Sequence, residues 1–297
     1  MTAKKFVVSG RPRISWCLFN FLQYCASILG EKQMENWLKS VVIVSAAAVA
    51  LAQAPAAYKA PRTAYGKPDL NGVWQVLNTA NWNIQDHAAA AGPVAALGAA
   101  FSIPGGQGVV EGNEIPYQPW AAKKKQENAE NWLKLDPEIK CYMPGVPRAT
   151  YMPYPFQIVQ TPENILIAYE FASATRIIRM NSQAKSPTDS WMGWSRGRWD
   201  GETLVVDVTD LNDQTWFDRA GNFHSDALHV VERYTRINPD VLMYEATIDD
   251  PKVFTRPWKI SMPLYRRLEK NVKVMEYKCV EFAEELLYGH LRKQPRK

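Results

Sequence analysis

From Phe156 onward the chain alternates apolar and polar residues with a period of two, and turn-forming residues break the alternation at short intervals. That pattern excludes a helical bundle and a doubly wound parallel sheet, because neither tolerates strand-period patterning without intervening helices. The segments it predicts as strands are 157–160, 165–171, 175–180, 194–199, 203–209, 230–237, 241–248, 258–264 and 272–282. Within 241–248, Leu242, Tyr244, Ala246 and Ile248 fall on one face while Glu245 and Thr247 fall on the other, so one face is buried and one is wetter. Asp200-Gly201 and Asn238-Pro239-Asp240 are tight hairpin connections. The expected fold is mainly β, an antiparallel up-and-down barrel-like domain with one or two peripheral helices.

Upstream of that run the fold is expected to begin at Pro68-Asp69-Leu70-Asn71-Gly72-Val73-Trp74. Gly72-Val73-Trp74 is the Gly-x-Trp step that lipocalin-like barrels place at their closed end, where a basic side chain from a late strand covers the ring. Residues 88–112, rich in Ala and Gly without a strong amphipathic period, predict a long excursion from the sheet. Residues 119–135 set Trp120, Ala129, Trp132 and Leu133 among charged residues at helical spacing, between Pro119 and Pro137, and predict a helix. Residues 281–291 predict a second, short amphipathic helix.

Residues 34–52 have the layout of a signal peptide: Lys39 in a short basic region, an unbroken apolar run over 41–52, and Ala50-Leu51-Ala52 before Gln53. The run is shorter than the roughly 20 residues a membrane-spanning helix needs, so no stable span is expected after cleavage. Met34 sits where an ordinary start would fall, and residues 1–33 read as a mis-called upstream extension, the alternative being a genuine long n-region with basic Lys4, Lys5, Arg11 and Arg13 and an apolar run from Trp16 to Leu29. Cleavage leaves an extended leader over 53–68 and one β domain over 69–297. Periplasmic or secreted localisation follows.

The net charge of +5 does not survive that processing: residues 1–52 hold six Lys/Arg against two Asp/Glu, leaving 29 against 28. No electrostatic footprint for nucleic acid remains. Of four cysteines, Cys17 and Cys25 lie upstream, and Cys141 and Cys279 remain. Two thiols in an oxidising compartment predict a disulfide, against the competing reading of two separately buried thiols. No Gly-x-Ser-x-Gly elbow, phosphate-cradling loop or dinucleotide fingerprint occurs, so no cofactor is expected.

The densest polar stretch is 216–233, which holds Trp216, Asp218, Arg219, His224, Asp226, His229, Glu232 and Arg233. A loop of this kind at a barrel mouth is where small-molecule sites form. His224 is the candidate general acid or base, with Asp218 or Asp226 to orient it and Arg219 to steady an anion. The competing reading is that His224 and Asp226 only tie down a tight loop. The spacing of His224, Asp226 and His229 matches no strong zinc signature, and no metal is expected. Glu232, if buried, requires a cationic partner, with Arg233, Arg196 or Arg198 nearby in sequence. The 191–199 stretch packs Trp191, Trp194 and Trp199 with Arg196 and Arg198, suited either to a planar or carboxylate ligand or to a Trp-over-Arg hairpin. The leading expectation is an exported barrel binding a small, partly apolar molecule at its mouth. The rivals are a cofactor-independent hydrolase, lyase or isomerase acting through His224, and a carbohydrate-binding module stacking sugar on exposed tryptophans.

Gly72-Val73-Trp74, Cys141-Tyr-Met-Pro-Gly-Val-Pro-Arg148, Ser195-Arg-Gly-Arg-Trp-Asp-Gly-Glu-Thr-Leu-Val-Val206, the 216–233 stretch, Arg256-Pro-Trp258 and Glu276-Tyr-Lys-Cys279 together resemble a large family of secreted soil and marine bacterial β proteins. The resemblance covers nearly all of the chain after residue 52. It implies export and one compact β domain, and supplies no reaction, substrate or catalytic residue.

Overall fold

The computed structural model describes residues 58–291, and the alternation resolves there into nine strands. They are β1 (Gly72–Val76), β2 (Phe156–Gln160), β3 (Asn164–Tyr169), β4 (Thr175–Met180), β5 (Trp194–Asp200), β6 (Thr203–Thr209), β7 (His229–Asn238), β8 (Val241–Asp249) and β9 (Trp258–Arg266). Each pairs with its neighbour in sequence, and β9 returns to pair with β1, closing a barrel. The expected antiparallel meander holds with one departure: β4 and β5 are parallel, with Ile178 opposite Ser195 and Met180 opposite Gly197. Parallel neighbours require the chain to return to its starting end, and residues 181–193 make that return.

Two local expectations need correction. Residues 272–282 form no strand, because β9 completes its pairing on β1 and the closed barrel leaves no free edge for another. The chain there runs irregularly into a short helix over Ala283–Tyr288. At the β5–β6 hairpin Asp200 pairs with Thr203, so the two loop residues are Gly201 and Glu202, with Gly201 at φ 59°.

The closed end is built on Trp74. Its ring is fully buried, its Nε1–H donates to the Leu70 carbonyl at 2.9 Å, and the Arg236 and Arg266 guanidinium groups, from the late strands β7 and β9, lie 5.8 and 5.9 Å from its ring centre. The bore above it is filled rather than hollow. Inward positions of β7, β8 and β9 place Val230, Tyr234, Leu242, Tyr244, Ile248, Ile260 and Leu264 in one core with Ile178 and Val206.

One charged pair interrupts that core. Glu232 faces inward from β7, fully buried, and binds Arg176 of β4 through both guanidinium nitrogens, with Nη1 to Oε1 at 3.1 Å. Its partner is thus Arg176 from across the barrel, and not Arg233, Arg196 or Arg198. Strand parity is the reason: residues at odd separation from Glu232 on β7 point outward, as do Arg196 and Arg198 on β5, where Ser195 and Gly197 are the buried positions.

The other end of the barrel is covered by residues 77–155 and by the 210–228 connection between β6 and β7. Phe217, Phe254 and Trp258 pack edge-on over this end, and the buried Tyr151 hydroxyl donates to the Phe217 carbonyl at 2.9 Å. The predicted 119–135 helix appears as α1 (Pro119–Glu130) and α2 (Trp132–Leu135), broken at Asn131, with Pro119 in the first turn. Cys141 and Cys279 are joined by a disulfide. The bridge pins the C-terminal segment to the cover, where the Phe282 N–H donates to the Ile139 carbonyl at 2.8 Å.

Candidate functional site

The 216–223 stretch folds into a tight hairpin: Trp216 pairs with Phe223, and the Phe217 N–H donates to the Asn222 carbonyl at 2.7 Å. Asp218 holds that hairpin to the cover. Its carboxylate accepts from the Ile84 N–H at 2.9 Å, the Asn222 N–H at 3.1 Å and the Asn222 side-chain amide at 2.6 Å. Complete burial nevertheless pushes its pKa up to about 6, against those donors and the positive charge of Arg148.

Arg219 turns the opposite way. Its guanidinium grips Glu138 at 2.8 and 3.0 Å and lies over the rings of Trp82 and Trp132, at 4.6 and 4.9 Å. Burial disfavours the charged form of Glu138, but Arg219 and Arg148 outweigh it and hold its carboxyl below the usual range. Arg148 is itself buried, bidentate on Asp136 at 2.7 and 2.8 Å and bonded to Asn81 at 3.0 Å. Asp218 and Arg219 therefore belong to the interior of the cover.

His224 sits at the hairpin's exit. Its Nδ1–H donates to the Ser225 carbonyl at 2.9 Å, and Nε2 lies 2.6 Å from the Thr215 hydroxyl, which donates to it in that tautomer. Burial lowers its pKa, opposed by the Ser225 carbonyl and by the charges of Asp250 and Asp213. Neither Asp218 nor Asp226 bonds to the ring: Asp226 is exposed and pairs with Lys252 at 2.6 Å. An orienting carboxylate of the kind general acid–base chemistry uses does not stand on His224 here.

What His224 does border is a surface groove of about 380 Å³ between α1 and the hairpin, with Trp120, Lys124, Trp216, Phe223 and Asp213 also on its walls. The walls are set by a close approach. Gly221 has φ 84°, and a Cβ there would lie 2.5 Å from the Lys125 carbonyl and the Ala129 nitrogen. Only glycine lets α1 seat this tightly. Asn128 seals the seat with a bond to the Gly221 carbonyl at 3.3 Å. Trp120 then stands edge-on to Phe223, ring centres 6.0 Å apart, while 54% of its surface stays in water. A second cleft of about 450 Å³ runs along α1 and shares Trp120 and Lys124.

The remaining predicted ligand residues lie elsewhere. Trp194, Arg196, Arg198 and His229 face outward from β5 and β7 and do not line the groove. Arg196 pairs with Asp207 at 2.8 Å, and His229 reaches the other oxygen of Asp207 at 3.1 Å. Of the predicted set, Trp216 and His224 alone meet at the groove.

The polar density that marks 216–233 points to none of Trp120, Lys124, Phe223 and Asp213. Helical spacing alone does not single out Trp120: the buried face of α1 is Ala121 and Asn128, a stripe that hydrophobicity does not mark, and Trp120 falls about 100° from Ala121.

Among the described residues, no group of three or more His, Cys, Asp or Glu is arranged to hold a metal ion, and no helix is long and apolar enough to cross a membrane. No protein-family model and no curated protein matches the chain. The nine-stranded, largely antiparallel barrel with its peripheral helices is consistent with lipocalin-like folds in general.

Proposed function

We propose that this is an exported binding protein for a small, partly apolar molecule, and that the molecule lies in the groove between α1 and the 216–225 segment. The observation that carries the reading is Trp120: a tryptophan more than half exposed, flanked by Phe223, His224 and Lys124, at the join of two clefts. An indole face in water is apolar area available for burial, and Lys124 beside it suits an anionic substituent. Binding in the bore is not supported, since that volume is filled by side chains. The sugar reading lacks its platform, because among the described residues Trp120 is the one tryptophan left largely exposed. Export rests on the sequence of residues 34–52, which lie outside the described residues.

The test uses anilinonaphthalene sulfonate, an aromatic sulfonate whose fluorescence rises on leaving water. Saturable one-site binding weakened about tenfold or more by Trp120→Ala, about 1.4 kcal/mol or more, is the expected result. Binding that ignores Trp120→Ala rejects the groove.

A further inference from the structure

We propose a second, separate site on the outer wall of the barrel: a cleft between β5 and the 181–183 segment that receives a carboxylate or phosphoryl group of a small molecule. The parallel β4–β5 pairing creates it. In that register Arg179 lies beside Arg196, and the alternation that turns Ser195 and Gly197 inward turns Arg196 and Arg198 outward. Where β4 ends, the Asn181 N–H donates to the Gly197 carbonyl at 2.8 Å, with Asn181 at φ 52°. This bond lays Asn181, Ser182 and Gln183 alongside β5 and encloses a cleft of about 310 Å³.

One wall thus carries amide and hydroxyl donors and the other carries guanidinium groups. Asp207 is the carboxylate in the lining, and it is already engaged by Arg196 at 2.8 Å and His229 at 3.1 Å. Those two bonds outweigh partial burial and keep its carboxyl below the usual range, so it stays an anion committed to its partners. Arg198 is exposed, and among the described residues no carboxylate pairs with it. Arg179, beside Arg196 on the neighbouring strand, stands outside the lining, and its guanidinium lies over the Trp194 ring at 3.6 Å. The wall therefore holds positive charge beyond what Asp207 balances. A guanidinium fork matches the oxygens of a carboxylate or a phosphoryl group, and side-chain amides complete such a shell.

Calorimetric titration of the full chain with inorganic phosphate and, separately, citrate tests the site at low ionic strength, where screening is weakest. One-site saturable binding of at least one of the two anions is expected, weakened about tenfold or more by Arg198→Gln. Trp120→Ala should leave it unchanged, which separates this site from the groove at α1. Because Arg198 is exposed and unpaired, Arg198→Gln should melt with the parent. Absence of saturable binding of both anions, indifference to Arg198→Gln, or loss in Trp120→Ala would each overturn the proposal.

Discussion

Arg176 and Glu232 meet inside the barrel from β4 and β7, and the contact is bidentate and fully shielded from water. Glu232 Oε1 also accepts from the Tyr234 and Tyr244 hydroxyls, at 3.0 and 2.9 Å, and Arg176 Nε–H donates to the Ser195 hydroxyl at 2.8 Å. Burial penalises both charges, and the pair persists because these neighbours occupy the remaining lone pairs and protons.

Removing one member strands the other. Glu232→Ala is expected to destabilise the fold by about 3–5 kcal/mol, through an uncompensated buried guanidinium. Tyr244→Phe, which deletes one donor to the carboxylate, should cost about 1–2 kcal/mol. Urea unfolding of the two variants and the parent checks the ordering. Equal stabilities for Glu232→Ala and Tyr244→Phe would show that the ion pair does not govern this part of the core.

Asp218 gives the fold a pH dependence of definite sign. Its folded-state pKa is raised from 3.8 to about 6, so between those values the native state holds a proton that the unfolded chain has lost. The contribution is fully present below about pH 4 and is lost as pH rises through about 6. The shift corresponds to something on the order of 3 kcal/mol. Asp218→Asn removes this group's titration; its one amide oxygen, in the Oδ2 position, still accepts from the Ile84 N–H and the Asn222 side-chain amide, and the acceptor lost for the Asn222 N–H is a pH-independent cost that cancels between the two pH values. Subtracting the variant's stability from the parent's at pH 4 and at pH 8 isolates the term. A difference that grows toward pH 8 would mean that the three N–H donors hold Asp218 ionised.

The barrel was legible in the sequence because closure depends on period-two patterning, which the chain carries openly from Phe156 to Leu264. The inward charge is carried by the same alternation: Arg176 shares its face with Ile178 and Met180, so a strand at that position must bury it. The 272–282 segment misleads because its alternation is real but the barrel has no edge left to receive it. The site was half visible. Residues 216–233 were marked by polar density, yet sequence proximity does not fix direction, and the tight hairpin at Asp218 sends Arg219 into the cover and His224 to the groove. Trp194, Arg196 and Arg198 share one stretch with buried Ser195, and only parity tells outer wall from core.

The disulfide closes a loop spanning 138 positions, and it holds the segment carrying Phe282 against the Trp132, Ile139 and Trp216 cluster. In the chain-entropy account a bridge over a loop this long contributes about 5 kcal/mol, by restricting the unfolded chain. Full reduction, verified by thiol titration, should lower the melting midpoint by roughly 10 °C or more. Cys279→Ser should reproduce the shift without reductant. An unchanged midpoint in the reduced protein would show that the C-terminal segment is held by its packing alone.

Trp74 and His224 sit at opposite ends of the barrel, and truncating each separates packing from binding. Trp74→Ala removes a fully buried ring from the closed end and leaves Arg236 and Arg266 without the surface they cover. The expected cost is about 3–5 kcal/mol, with little effect on groove affinity once the protein is folded. His224→Ala leaves the Ser225 carbonyl without its donor and the Thr215 hydroxyl without its acceptor, a loss of about 1–3 kcal/mol. It also removes part of the groove wall beside Trp120. Probe affinity should therefore fall in His224→Ala and hold in Trp74→Ala, while the melting midpoints fall in the reverse order of severity. Melts and fluorescence titrations on the same preparations decide it. If His224→Ala keeps full probe affinity, the imidazole only fastens the loop, and the groove must be assigned to Trp120 and Phe223 without it.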